Sequence, residues 1–209
     1  MALFSDIESF FDFKNRLGGL VLLLVFSCFK LSAAPILILG DSLSASYGMP
    51  EDQGWVQLLR EKMPEHSIIN GSVSGETSAG GLRRLPALLD SAQPKLLLVE
   101  LGGNDGLRGF PPKQLKNNLT KIIQLAKEQE IKILLSEIMV PPNYGPRYAS
   151  QISTVYKELA EEHEVTLMPF FMEQIVTDPS LMQRDGIHPN QKAQSAIAEF
   201  MLPWFEQAL

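Results

Sequence analysis

Cysteine is almost absent: the 209 residues hold a single thiol, Cys28, and it lies in the first thirty-odd positions. From Pro35 onward the chain can build no disulfide, no cysteine-ligated metal centre and no thiol nucleophile. Histidine is nearly as scarce, with His66, His163 and His188 the only three. No His-Glu-x-x-His occurs, so zinc chemistry lacks its usual ligands, and no metal or other cofactor is expected. Lys and Arg form no basic cluster, and a net charge of −6 argues against nucleic acid as a partner. Neither Gly-x-x-x-x-Gly-Lys-Ser/Thr nor Gly-x-Gly-x-x-Gly is present, which removes the usual support for a nucleotide or flavin binder. Gly-x-Ser-x-Gly, the serine elbow of one large hydrolase class, is missing as well.

Long hydrophobic runs are lacking too. The run Leu20 to Phe29 is about half of the roughly 20 apolar residues that a membrane-crossing helix needs, so no stable membrane span is expected. Lys14 and Arg16 precede it, and Leu31-Ser32-Ala33-Ala34 come after it. A charged segment, a short apolar centre and small residues are the pattern of a secretory signal peptide. The expectation is a leader over 1–33, cleaved near Ala33 or Ala34, one domain over 34–209, and a periplasmic or secreted protein. Pro35 disfavours cleavage directly after Ala34, and the acidic Asp6, Glu8 and Asp12 leave open a start codon further downstream. Val25-Phe26-Ser27-Cys28 loosely resembles a lipoprotein box. Phe26 fits it poorly, and Cys28 reads as an ordinary residue of the apolar centre rather than an acylated anchor.

What is present, from Pro35 on, is alternation. Short apolar strand candidates at Ile36–Leu39, Ser67–Asn70, Leu96–Leu101, Lys132–Ile138 and Val165–Met168 alternate with helical spacing at Trp55–Met63, Leu82–Leu89, Lys113–Lys127 and Tyr148–His163. A last helix is expected from about Gln191 to Phe205. This is a βαβα series, hence a parallel sheet covered on both faces with right-handed crossovers. Ligands of such sheets bind beyond the carboxyl ends of the strands, where the strand order reverses. The segments that matter are therefore 40–48, 71–81, 102–112, 140–148 and 183–190. If the order is 2-1-3-4-5, the first three converge and bring Ser42, Gly75 and Asn104 together.

Ser42, in Gly40-Asp41-Ser42, stands where a buried strand ends; the position suits a helix-capping turn or an attacking hydroxyl. A serine nucleophile needs an adjacent base, itself oriented by a third group. His66 in Met-Pro-Glu-His-Ser and His163 in Glu-Glu-His-Glu read as solvated surface residues. His188 follows Asp185 by three residues, and the intervening Gly186 permits a bend that brings carboxylate to imidazole. By itself the same tetrapeptide also reads as a helix-initiating turn, helped by Pro189 and Asn190. Donors for an oxyanion are the backbone N–H groups of Ser42 and Gly75 and the Asn104 amide, although Gly75 and Gly102-Gly103-Asn104-Asp105 also suit plain turns.

Taken together, Gly40-Asp41-Ser42-Leu43-Ser44, Ser74-Gly75-Glu76-Thr77, Gly103-Asn104-Asp105 and Asp185-Gly186-Ile187-His188-Pro189 resemble, in order and without substitution, the four blocks of the SGNH (GDSL) hydrolases. The flanking stretches are similar to the periplasmic thioesterase I, arylesterase and lysophospholipase type. The resemblance implies an α/β, three-layer flavodoxin-like sandwich with a five-stranded parallel sheet of order 2-1-3-4-5. It also implies Ser42 as nucleophile, Asp185 and His188 as its partners, Ser42, Gly75 and Asn104 as the oxyanion hole, and no cofactor. Small-molecule fatty-acyl, lysophospholipid or aryl esters and thioesters are the implied substrates; a monomer is expected. Apolar rim residues suit an acyl chain: Leu43 and Tyr47, Leu107 and Phe110, Val140, Tyr144 and Tyr148, with Ile187 beside the base. The same residues also serve to pin proline-rich loops. Alternatives are a carbohydrate O-deacetylase of the same family, or a non-catalytic binder of nucleotide or acyl lipid.

Overall fold

The computed structural model describes residues 33–209. The leader expected over 1–33, Cys28 included, therefore lies outside the described residues except for Ala33. Five apolar segments form the strands β1 (Pro35–Gly40), β2 (Ser67–Asn70), β3 (Leu96–Glu100), β4 (Lys132–Ser136) and β5 (Thr166–Met168). They pair in parallel in the order β2-β1-β3-β4-β5. The helices are α1 (Trp55–Lys62), α2 (Ser78–Ala92), α3 (Gly103–Leu107), α4 (Pro112–Lys127), α5 (Pro146–His163) and α6 (Gln194–Ala208). Among the described residues no helix is long and apolar enough to cross a membrane.

The strands are apolar on both faces because both faces are covered. Leu37 and Leu39 of β1, Leu97 and Val99 of β3, and Ile133 and Leu135 of β4 face one core, closed by α2, α4 and α5 through Leu85, Leu119, Ile122 and Leu159. Their neighbours Ile36, Ile38, Leu96, Leu98 and Leu134 face the other, closed by α1 and α6 through Trp55, Leu59, Ile197 and Phe205. The period-two alternation of a strand thus supplies two hydrophobic layers from one run. At about 25 cal/mol per Å² of apolar surface removed from water, these layers are the dominant stabilising contribution.

Parallel register aligns the carboxyl ends of the two central strands. Ile36 pairs with Leu96 and Gly40 with Glu100, so the last residue of β1 lies beside the last residue of β3. Two helices begin in stretches that read as loops. In α2, Thr77 caps the helix by accepting from the Gly80 N–H, and Gly80 and Gly81 are buried inside the first turn. Two low-propensity glycines hide that start from a pattern search. The short α3 is hidden in the same way within Gly102-Gly103-Asn104-Asp105-Gly106. It is fixed by a Gly106 N–H to Gly102 carbonyl bond of 2.9 Å and by the Asp105 carboxylate, which accepts from the Ser78 N–H at 2.8 Å and from the Ser78 hydroxyl.

Candidate active site

The strand order reverses between β1 and β3, and the loops after β1, β2 and β3 meet there as the topology requires. Ser42 sits in the turn that leaves β1, and Gly75 lies in the loop between β2 and α2. Asn104 is the second residue of α3. Val73 N–H donates to the Gly40 carbonyl at 3.1 Å and Arg108 Nη2 to the Gly75 carbonyl at 3.0 Å, so the β2–α2 loop is tied to both neighbours. Among the described residues, neither the Ser42 nor the Gly75 N–H is given to a protein acceptor.

His188 arrives from the segment before α6. Its Nε2 lies 2.8 Å from Ser42 Oγ across 146 residues of sequence, and its Nδ1 lies 2.7 Å from Asp185 Oδ2. The carboxylate can only accept, so the hydrogen bond assigns the ring proton to Nδ1 and leaves the Nε2 lone pair facing the serine. The other Asp185 oxygen accepts from the Ile187 and His188 N–H groups at 2.9 and 3.0 Å. Gly186 makes this closure possible at φ +69°, a backbone region that other residues disfavour. Partial burial pushes the Asp185 carboxyl up. It is outweighed by the His188 N–H, the His188 ring and the Ile187 N–H, and the group titrates at about 2. Asn190 caps the following turn by accepting from the Lys192 N–H at 2.9 Å, so that turn starts at Asn190 and not at Asp185 or His188.

Behind Ser42 lies a carboxyl pair that the sequence pattern does not single out. Asp41 Oδ2 accepts from Asn104 Nδ2 at 3.0 Å and Asp41 Oδ1 from the Leu43 N–H at 3.0 Å. The Asn104 amide therefore has one hydrogen fixed and one remaining. Glu100 is fully buried; its Oε2 accepts from the Asp41 N–H at 3.1 Å and from Ser44 Oγ at 2.7 Å. Burial raises Asp41 to about 6, opposed by the hydrogen bonds of Leu43 and Asn104. Burial, and then the charge of Asp41, push Glu100 well above the usual carboxylate range. Glu100 Oε1 has no hydrogen-bond partner among the described residues. The signal was available: Glu100 is the one charged residue in Leu96–Leu101.

The remaining rim residues divide by exposure. Tyr144 (38%), Ile187 (43%) and Tyr47 (47%) are open to solvent. Leu107 and Phe110 are half-buried, and their carbonyls accept from the Tyr144 and Tyr148 hydroxyls at 2.8 and 2.7 Å, which joins the loops after β3 and β4. Val140 belongs to the first core, and Leu43 packs against the second. Val73, Met139 and Val176 are further exposed apolar side chains. His66 differs from the sequence expectation. Its ring is 3% exposed, and Nδ1 accepts from the Ala34 N–H at 3.1 Å, because β1 and β2 start side by side and enclose it. Among the described residues no three His, Cys, Asp or Glu side chains are grouped to hold a metal ion.

The model of the GDSL-like lipase/acylhydrolase family matches residues 38–196, a span that contains every site residue named above. The chain belongs to that family. Family membership makes it an acylhydrolase acting on ester bonds. It is 48% identical over 190 residues to an arylesterase of Vibrio mimicus, covering 89% of this chain and 95% of that protein. It is 50% identical over 182 residues to the thioesterase 1/protease 1/lysophospholipase L1 of Escherichia coli, covering 86% and 88%. Among solved structures, the psychrotrophic esterase EstA from Pseudoalteromonas sp., inhibited by monoethylphosphonate, superposes with a TM-score of 0.81 at 45% identity. That match covers 82% of this chain and 96% of that one.

Proposed function

We propose that this acylhydrolase works through an acyl-enzyme on Ser42, with His188 as general base and acid, Asp185 as the carboxylate that orients it, and the Ser42 N–H, Gly75 N–H and Asn104 amide as the oxyanion hole. The observation that carries the reading is the unbroken relay from Asp185 Oδ2 to His188 to Ser42 Oγ, at 2.7 and 2.8 Å. As Oγ bonds to the acyl carbon, Nε2 takes its proton, and the carbonyl π pair moves onto oxygen. The three donors receive that charge; each is worth on the order of a hundredfold or more in rate. On collapse the C–O or C–S bond breaks, and the leaving oxygen or sulfur takes the Nε2 proton. Water then attacks the ester of Ser42 by the same route, releasing the acid.

The substrates in this reading are fatty-acyl, aryl and lysophospholipid esters and acyl thioesters. The names of the relatives support that range, as do the exposed apolar side chains of Tyr144 and Ile187 and the bracing of Leu107 and Phe110 by tyrosine hydroxyls. A fluorophosphonate should label the wild-type protein covalently and leave Ser42→Ala unlabelled; a folded wild-type protein that resists labelling would rule the nucleophile out. We also read 1–33 as a secretory leader, with the mature protein in the periplasm or outside the cell. Expression in a Gram-negative host followed by N-terminal sequencing should give a start at Ala34 or Pro35, and a cytoplasmic, uncut chain would contradict it.

A further inference from the structure

Ser42 and His188 belong to segments that are far apart in sequence, and the His188 turn is thin: Arg184, Asp185, Gly186 and Ile187 are all exposed. Bonds inside the turn fix its shape. Gln183 N–H donates to the His188 carbonyl at 2.8 Å and Gly186 N–H to the Gln183 carbonyl at 3.1 Å. Asn190 Nδ2 ties the base of the turn to the Ser180 and Met182 carbonyls at 2.8 and 3.1 Å. None of these sets how far the imidazole stands from Ser42.

Two contacts do reach across. Gln183 Nε2 donates to the Tyr47 carbonyl at 2.7 Å and to the Pro189 carbonyl at 3.0 Å, so both hydrogens of one amide are used, one on each segment. The Tyr47 ring covers the imidazole, with ring centroids 4.2 Å apart and planes tilted by 33°. The first loop is shaped for the amide: a Cβ at Gly48 would stand 2.5 Å from Gln183 Oε1. The next tie between the two regions, Trp55 N–H to Gln194 Oε1 at 2.9 Å, lies beyond the turn on α6.

We propose that Gln183 and Tyr47 are positioning residues that latch the His188 turn onto the nucleophile loop and hold Nε2 at hydrogen-bond distance from Ser42 Oγ. The inference rests on the acyl-enzyme reading above. Misplacement of a reacting group by about 1 Å costs on the order of a hundredfold.

The test is a kinetic cycle on the whole protein, using p-nitrophenyl butyrate and the rate of fluorophosphonate labelling. Gln183→Ala and Tyr47→Ala should each lower kcat and the labelling rate together by roughly tenfold to a hundredfold at nearly unchanged KM. Tyr47→Phe, which keeps the ring, should restore most of what Tyr47→Ala loses. In a His188→Ala background neither alanine change should lower the residual rate further, because residues that act through one group are non-additive. Labelling of Gln183→Ala and Tyr47→Ala at the wild-type rate, or a full additional loss in the His188→Ala background, would overturn the latch while leaving Ser42 as nucleophile. Should Gln183→Ala fail to fold, the Tyr47→Ala and Tyr47→Phe pair decides alone. A wild-type protein that does not label would remove the underlying acyl-enzyme reading instead.

Discussion

Asn104 is held by a charge rather than by packing: one amide hydrogen goes to Asp41 Oδ2, and Asp41 is held in turn through its own N–H by Glu100. In the oxyanion hole proposed above, a donor fixed in this way would need no reorganisation when charge develops, which is where an effect on rate would arise. Asn104→Ala is expected to lower kcat on the order of a hundredfold with KM nearly unchanged; steady-state kinetics on a p-nitrophenyl ester check it, and unchanged turnover would remove Asn104 from the oxyanion hole. At this scale the sequence was informative wherever a residue type is rare. With three histidines in the chain, a candidate base beside Asp-Gly-Ile was easy to single out. Asp41, Glu100 and Gln183 were not legible as a set, because a common polar residue acquires a role only from the neighbours that distant segments bring to it.

Elements explain why such small loops hold still. The entry to α3 depends on Gly102, which sits at φ +118° with a would-be Cβ only 2.0 Å from the Tyr156 hydroxyl. That hydroxyl is fully buried and donates to the Leu101 carbonyl at 2.8 Å. Gly102→Ala therefore combines backbone strain with a displaced buried hydrogen bond and should destabilise by about 2–4 kcal/mol, while moving Asn104 enough to reduce activity. Gly109→Ala is the comparison: its φ is also positive, at +67°, but nothing lies within 4 Å, so strain alone applies, at about 1 kcal/mol. Denaturant melts of the two variants distinguish these outcomes, and equal losses would mean that the Tyr156 contact is immaterial. The strands and the long helices α4 and α5 were readable from periodicity, since each buries one regular face. The starts of α2 and α3 were not, because a cap, a buried carboxylate and close packing override the low helix propensity of glycine.

For the molecule as a whole, the buried Asp41–Glu100 pair links the site to global stability. An acid whose folded-state pKa is raised holds a proton that the unfolded chain has already released, so unfolding lets that proton go and is favoured as pH rises. For Asp41, raised from 3.8 to about 6, this contribution is present below about pH 4 and is lost as pH climbs through about 6. Asp185 acts in the opposite direction and lower down: its pKa is depressed to about 2, so its contribution is present above about pH 4 and fades as pH falls toward 2. Glu100→Gln removes a second buried carboxyl whose pKa is raised by burial and by the charge of Asp41, and the fall in thermal midpoint as pH rises above about 4 should be shallower than in the wild type. Parallel curves for the two proteins would show that the pair does not couple to folding. The sequence by itself determined the layered parallel sheet, because runs that are apolar on both faces must be covered on both sides, whereas its strand order and its four candidate site loops came from the resemblance of four short blocks to a known family. Only the tertiary structure decided which groups touch: a hydroxyl and an imidazole come within 2.8 Å across 146 residues, and two carboxyls share a buried site because parallel register sets Glu100 beside Gly40. Contacts of that length depend on side-chain packing to a fraction of an ångström, which hydrophobic pattern does not encode.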